Sequence, residues 1–153
     1  MNAFKQTSYF LKYLEKKQEI IELNLHKSKN ELAKINEKIN LNCIKHDEIG
    51  EMINRLFQRG VIHRLDINKM MRLQAIYIGE QQNIEQENMQ LYSDRNSENK
   101  KIDDYNRALQ LTTKRHHKIL LHFNKIKCEK LLILGNNMEN EIQEIASYGK
   151  THF

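Results

Sequence analysis

The side chains in this sequence with the greatest capacity for chemistry are its histidines and cysteines. His116, His117 and His122 lie close together in the chain, whereas Cys43 and Cys128 are far apart. Two imidazoles share one face of a helix when they are four residues apart; none of these histidines are, and no HExxH motif occurs. The cysteines fit no CxxC pattern, so we expect reduced thiols of an intracellular protein. The sequence therefore predicts no metal site.

Motifs for phosphate binding and catalysis are missing from the sequence as well. Neither GxxxxGK[ST] nor GxGxxG occurs, and no predicted strand could supply the sheet edge of a nucleotide site. Glutamates are abundant, but acid–base catalysis needs a dry pocket that shifts their pKa values. A thin helical protein has no such pocket, so we expect no enzymatic activity, no catalytic residue and no cofactor.

Composition favours a long helical protein with a thin core. The 153 residues are 39% hydrophobic and 29% charged, with no Pro and no Trp, and the mean hydropathy is −0.76. This usage is typical of coiled coils. The net charge of +5 suits an acidic partner, whether a nucleic acid, an anionic membrane or a protein. The longest apolar run, LLILG, is too short to span a bilayer, so we expect no membrane insertion.

The first third of the chain carries a heptad repeat that begins near Phe4. Two series of positions, seven residues apart within each series and offset by three, are mostly apolar and would form one seam of a coiled coil. The first series is Phe4, Leu11, Gln18, Leu25, Leu32, Ile39, His46 and Ile53. The second is Thr7, Leu14, Ile21, Ser28, Ile35, Asn42, Ile49 and Leu56. The repeat predicts a long first helix that packs along this seam against a partner helix.

A second apolar series resumes from Leu56 to Tyr77, thins between Glu80 and Lys101, and becomes dense again from Ile102 to Ile133. Its spacing of three and four residues predicts a second long helix with one apolar face. Gly135-Asn136-Asn137 and then Gly149 are typical signals for the end of a helix.

Two places compete for the turn between these helices. Between Asn40 and Gly50, asparagines weaken the helix and Asp47 can cap a new one. Gly60 is the rival, because glycine accepts the left-handed conformation that ends helices. We favour the first, and a further break at Ser93–Asn99 would instead give a three-helix bundle.

The predicted fold is all-α: a long antiparallel two-helix coiled-coil hairpin, 1–153, as a single domain. Helix one would span about 4–41, the turn about 42–50 and helix two about 51–147. Helix two would then overhang from near Tyr92, leaving the apolar residues from Ile102 to Ile133 without an intramolecular partner. An unpaired apolar surface of that length implies a partner protein or self-association.

The predicted overhang is also strongly basic. Its cationic residues are Arg107, Lys114, Arg115, Lys118, Lys125, Lys127 and Lys130, interrupted by Glu129. A solvated helix face would explain the charges alone. A protein partner explains both the charges and the apolar residues on the same helix, whereas nucleic acid explains only the charges. No zinc finger, RNP sequence or helix-turn-helix pattern occurs, so we expect a protein partner and no nucleic acid.

Glu51 to Ile84, EMINRLFQRGVIHRLDINKMMRLQAIYIGEQQNI, resembles a known family. The shared pattern is an acidic start, an apolar pair with a basic follower (Leu56, Phe57, Arg59), a second such group (Val61, Ile62, Arg64), and then a long polar helix. The family comprises the small coiled-coil stalk proteins of type III secretion and flagellar export ATPases, the FliJ, YscO and InvI/SpaM class. The stretch is most similar to the InvI/SpaM branch of the injectisomes, which serve virulence.

The resemblance implies a central stalk inserted in a hexameric export ATPase, promoting its hexamerisation and activity and linking it to the export gate and to secretion chaperones. Such a protein would be cytoplasmic, at the base of a membrane-embedded secretion apparatus. Apolar residues early in helix two of the flagellar member contact the gate, so the resemblance places gate binding at Leu56, Phe57, Ile62 and Arg64.

Contact with the ATPase ring is our own inference from the basic apolar overhang. The expected residues are Arg107, Lys114, Arg115, Lys118, Ile119, Phe123 and Ile126. Two alternatives to the stalk remain open: a coiled coil that binds nucleic acid through the basic residues, and a homo-oligomeric structural coiled coil.

Overall fold

The computed structural model describes residues 3–56 and 64–151. These residues form two helices, α1 from Ala3–Leu56 (54 residues) and α2 from Arg64–Thr151 (88 residues). No strand occurs in these two ranges. The prediction of an all-α two-helix hairpin is confirmed.

Contacts divide the chain into two compact units. The first comprises Met1–Leu23 and Arg107–Phe153, and the second comprises Asn24–Asn106. In each unit a segment of α1 packs antiparallel against a segment of α2. Phe4 contacts Phe123 and Gln18 contacts Thr113 in the first unit; Asn42 contacts Asn88 and His46 contacts Glu85 in the second. That the whole chain acts as a single domain stays a prediction.

The heptad seam of α1 lies where the sequence predicts it. Every position of the two series from Phe4 to Leu56 is buried or half-buried. Four apolar residues of the seam, Leu11, Leu14, Ile21 and Ile39, are buried, and the most buried of them, Leu14, is only 2% exposed. The seam is one side chain deep, so a few leucines and isoleucines supply most of the apolar burial.

The partner seam on α2 keeps the same alternation of three and four residues, and all its members are buried or half-buried. They are Met70, Gln74, Tyr77, Gln81, Ile84, Asn88, Leu91, Arg95, Glu98, Ile102, Tyr105, Leu109, Thr112, His116, Ile119, Phe123 and Ile126. The polar members between Gln81 and Glu98 explain why the apolar pattern thins there while the helix still packs. A regular 3–4 alternation in both helices is the packing geometry of a coiled coil.

The turn predicted at 42–50 is wrong. Residues 42–50 are helical and α1 continues to Leu56. Asn42 is buried, and its Nδ2 donates a hydrogen bond to Asn88 Oδ1 at 3.1 Å. Gln81 Nε2 donates to the His46 carbonyl oxygen at 3.3 Å. The weak helix propensity of asparagine is therefore overridden by tertiary contacts. The alternative turn at Gly60 lies outside the described residues.

Two sites at which the sequence could have interrupted helix two are helical. Ser93–Asn99, the alternative break that would give a three-helix bundle, and Gly135–Asn137, a helix-end signal, both lie inside α2. In the first case Arg95 and Glu98 are half-buried members of the seam, so packing holds the helix. In the second case a single glycine costs only about 1 kcal/mol in a helix interior, and no proline follows to stop it. Gly149 also lies within the helix.

Because α1 is longer than predicted, the part of α2 without α1 beside it begins later in the chain than expected. The apolar residues from Ile102 to Ile126 have α1 as an intramolecular partner, contrary to expectation: Thr112 is buried, and the Phe123 ring stacks on Phe4. Helix α2 does extend past the start of α1, as predicted, but beyond Lys130 and not from Tyr92.

The hydrogen-bonded pair of Asn42 and Asn88 in the seam gives a testable prediction about stability. We expect Asn42→Leu alone to destabilise the protein by about 1–3 kcal/mol, because the Asn88 amide loses its strongest partner. The double variant Asn42→Leu/Asn88→Leu should be more stable than the single variant, since both polar groups leave the seam. Chemical denaturation followed by circular dichroism measures both; a double variant no more stable than the single one contradicts this account.

Candidate protein-interaction surfaces

The described residues hold no group of His, Cys, Asp and Glu side chains that could bind a metal ion. A groove in the second unit is open to solvent and lined by Cys43, His46, Asp47, Gln82, Glu85, Gln86, Asn88, Met89 and Tyr92. Two pairs of its side chains contact each other: His46 Nε2 lies 2.9 Å from Glu85 Oε1, and Asn88 Nδ2 lies 3.9 Å from Cys43 Sγ.

The predicted gate contact lies at the end of α1 and the start of α2. Leu56 is half-buried and shares a shallow groove with Met52, Arg55, Met70 and Tyr77. Of the other predicted gate residues, Phe57 and Ile62 lie outside the described residues. Arg64 is the first residue of α2, and its side chain is outside the description too.

A patch of exposed apolar side chains follows in the first turns of α2, which we call the Met71 patch. Its members are Met71 and Ile78, seven residues apart on one side of the seam. Leu73 and Ile76 are exposed on the other side, and Ile67 continues the seam spacing three residues before Met70 but is exposed. Sequence reasoning missed the patch as a surface because it treated the apolar residues here as one packed series. The signal was present: a single helix seam accommodates one series of three- and four-residue spacings, and Met71 and Ile78 are out of phase with it.

The structure separates the residues predicted to contact the ATPase ring into two groups. Arg107, Lys114, Arg115 and Lys118 are exposed, and we call these four residues the basic face. The three apolar residues Ile119, Phe123 and Ile126 are half-buried seam members.

These apolar residues hold the beginning of α1. The Phe123 ring lies 4.9 Å from the Phe4 ring, with 26° between their planes. Lys130 Nζ lies over the Phe4 ring, 4.9 Å from its centre. His116 Nε2 lies 3.3 Å from Glu15 Oε1 further along the seam. Of the predicted ring residues, the four cations are therefore exposed, whereas the three apolar residues belong to the seam with α1.

Beyond Lys130, every residue of α2 from 131 to 148 is exposed. We call residues 131–148 the α2 extension. It is rich in apolar side chains that are at least half exposed: Leu131, Leu132, Ile133, Leu134, Met138, Ile142, Ile145 and Tyr148. Its only charged residues are acidic, Glu139, Glu141 and Glu144. An exposed apolar surface of this extent marks an interaction site.

No helix in the described ranges has a segment both long enough and apolar enough to cross a bilayer.

Comparison with known proteins identifies the family of this chain. No curated protein and no solved structure matches the chain. The family profile described as Salmonella surface presentation of antigen gene type M protein matches residues 5–146, which include most of both helices. The resemblance at Glu51–Ile84 is thereby confirmed and extended to the coiled coil as a whole. The chain therefore belongs to the Salmonella surface presentation of antigen gene type M protein family, the InvI/SpaM stalk branch of type III secretion components.

Proposed function

We propose that this protein is the non-enzymatic central stalk of an injectisome export ATPase. The observation that carries the proposal is the family match over residues 5–146 of a two-helix hairpin. In this role the protein hydrolyses no ATP itself. It promotes assembly of the hexameric ATPase and its activity, in the cytoplasm at the base of the secretion apparatus.

The ring contact is assigned to the basic face. Arg107, Lys114, Arg115 and Lys118 are exposed on one segment of α2, and α1 packs on the seam side of the same segment through Phe123 and Phe4. A cation row on a helix pair is stiffer than one on a single helix, and preorganised charges lose less entropy on binding. Ile119, Phe123 and Ile126 act in this proposal by holding α1 in place.

The gate contact is assigned to the other unit. Leu56, Phe57, Ile62 and Arg64 are proposed to bind the export gate, with the exposed Met71 patch beside them in sequence. Exposed methionine and isoleucine side chains suit a partner that presents an apolar groove. Secretion chaperones are further proposed partners.

The test of the stalk function is the ATP hydrolysis rate of the export ATPase of the same secretion system, with and without the full-length protein. The hexamer fraction is recorded in the same samples by sedimentation velocity. We expect both to rise together, because a stalk that binds several subunits favours the assembled ring. Unchanged hydrolysis and no co-sedimentation with the ATPase would refute the proposal.

Gate binding should be separable from ATPase stimulation. We expect Phe57→Ala/Ile62→Ala to weaken binding to the purified gate domain by about tenfold or more, as removal of apolar anchor residues does. Stimulation of the ATPase should be unchanged. The matched control is Leu41→Ala/Ile44→Ala, two exposed apolar residues of α1 in the same unit. Equal gate affinity of the two double variants would argue against the assignment.

A further inference from the structure

The apolar residues of α2 move to a different side of the helix where the α2 extension begins. Continued past Ile126 at its spacing of three and four residues, the seam series becomes mostly polar: Lys130, Ile133, Asn137, Asn140 and Glu144. A second series with helical spacing takes over, and its members are Leu131, Leu134, Met138, Ile142 and Ile145. At about 100° per residue it lies about a third of a turn away from the seam series. The seam with α1 therefore does not account for it.

We call these five residues the extension stripe. All five side chains are at least half exposed, from 52% for Leu134 to 72% for Ile145. They lie within an arc of about 80° on the helix surface. From Gly135 to Ser147, every position outside the stripe holds Asn, Gln, Glu, Ser, Gly or Ala. One apolar side and one polar side are typical of a helix that packs against a single partner.

Glutamates flank the extension stripe on both sides. Glu139 directly follows Met138 and Glu141 directly precedes Ile142, which places the two carboxylates on opposite sides of the stripe. In a coiled coil these are the positions whose charges select the partner helix. Residues 131–148 contain no lysine, arginine or histidine, although the whole chain has a net charge of +5. The extension is thus an acidic segment of a basic protein.

This charge pattern decides which kind of partner fits the stripe. Two extensions from two copies of the chain would bring only glutamates together, and like charges across an interface oppose binding. An anionic bilayer or a nucleic acid would be repelled for the same reason. A cationic helix with an apolar side satisfies both the stripe and its two flanking carboxylates.

We propose that the extension stripe docks an amphipathic helix of another protein, one whose apolar seam is flanked by lysines or arginines. The extension is about 27 Å long at 1.5 Å per residue, enough for between two and three heptads of pairing. The stripe includes neither the basic face nor the residues assigned to the gate. The docked helix is therefore a partner in addition to the ATPase ring and the export gate of the proposed function.

A synthetic peptide serves as the probe for this surface. It has about three heptads with leucine and isoleucine at the seam positions and lysine at the two flanking positions of each heptad. A second peptide carries glutamate in place of each lysine. Fluorescence anisotropy of the labelled peptides is measured as the full-length protein is added. We expect the lysine peptide to bind with a Kd of about 10 μM, weakening as salt is raised, and the glutamate peptide to bind at least about tenfold more weakly.

Ile142 and Ile133 provide a matched pair of variants within the extension. They are 64% and 60% exposed, and only Ile142 belongs to the stripe. Ile142→Asn should weaken binding of the lysine peptide by about tenfold or more, as loss of an apolar anchor does, whereas Ile133→Asn should leave it nearly unchanged. Binding absent up to about 100 μM of the wild-type chain, or lowered equally by both substitutions, would overturn the proposal.

Charge reversal gives a result that unfolding of a variant cannot imitate. Glu139→Lys/Glu141→Lys should reverse the preference, so that the chain binds the glutamate peptide more tightly than the lysine peptide. An unchanged preference would show that the flanking carboxylates do not select the partner and would overturn the proposal. Sedimentation velocity of the wild-type chain alone tests a second copy as the occupant: self-association that Ile142→Asn abolishes would overturn the proposal too. No ATPase enters these measurements, so their failure is distinct from failure of the stalk function.

Discussion

Replacing Leu14 by alanine is expected to lower the free energy of unfolding by about 2–5 kcal/mol, the range for buried leucines. Leu14 is only 2% exposed and lies at the centre of the seam in the first unit, between Leu11 and Ile21, which are also buried. A seam one side chain deep cannot refill the space from a second layer. The lost isopropyl group therefore leaves a gap between α1 and α2.

Leu23→Ala is the matched control for this change. Leu23 belongs to the same helix and the same unit but is 54% exposed, so the substitution alters helix propensity equally while removing little buried surface. We expect a change of no more than about 0.5 kcal/mol in its case. Urea denaturation followed by far-UV circular dichroism measures both variants. Similar unfolding midpoints for the two would show that α1 is not held at Leu14.

The seam of α1 could be predicted from the sequence because a single heptad repeat determines which side of the helix is buried. Hydrophobic spacing fixes which side of a helix is buried, and that side holds even where Gln18, Ser28 or Asn42 replaces an apolar residue. The length of α1 could not be predicted in the same way. Asn42 and Gly50 have turn propensities that hold for an isolated segment. In the folded chain Asn88 and Gln81 of α2 satisfy Asn42 and the His46 carbonyl, and that pairing depends on the register of the hairpin.

The error in the length of α1 also affected the prediction of the interaction surfaces. A turn near residue 45 would have left Ile119, Phe123 and Ile126 unpaired, whereas the longer α1 reaches them through Phe4. The cationic residues were unaffected, because a lysine or arginine on the side away from the seam is exposed with or without a partner helix. The sequence did not reveal that the apolar residues from Leu131 to Ile145 are exposed on all sides of α2, because they were counted with the seam or with a helix end.

Charge reversal of the basic face is expected to have the largest effect on function. We expect Lys114→Glu/Arg115→Glu/Lys118→Glu to abolish stimulation of the export ATPase or to shift half-maximal stimulation to at least about tenfold higher concentration. All three side chains are exposed, so the fold should tolerate the change. Opposite charge at a docking surface turns attraction into repulsion and slows association.

Lys5→Glu/Lys12→Glu/Lys16→Glu is the control variant, because it makes the same change of net charge at three exposed lysines of α1 in the same unit. Full stimulation by the control and none by the basic-face variant would assign the ring contact; equal loss in both would mean that net charge alone matters. Binding to duplex DNA, measured on the same pair, decides the nucleic-acid alternative, because that reading requires tight binding that only the basic-face variant loses.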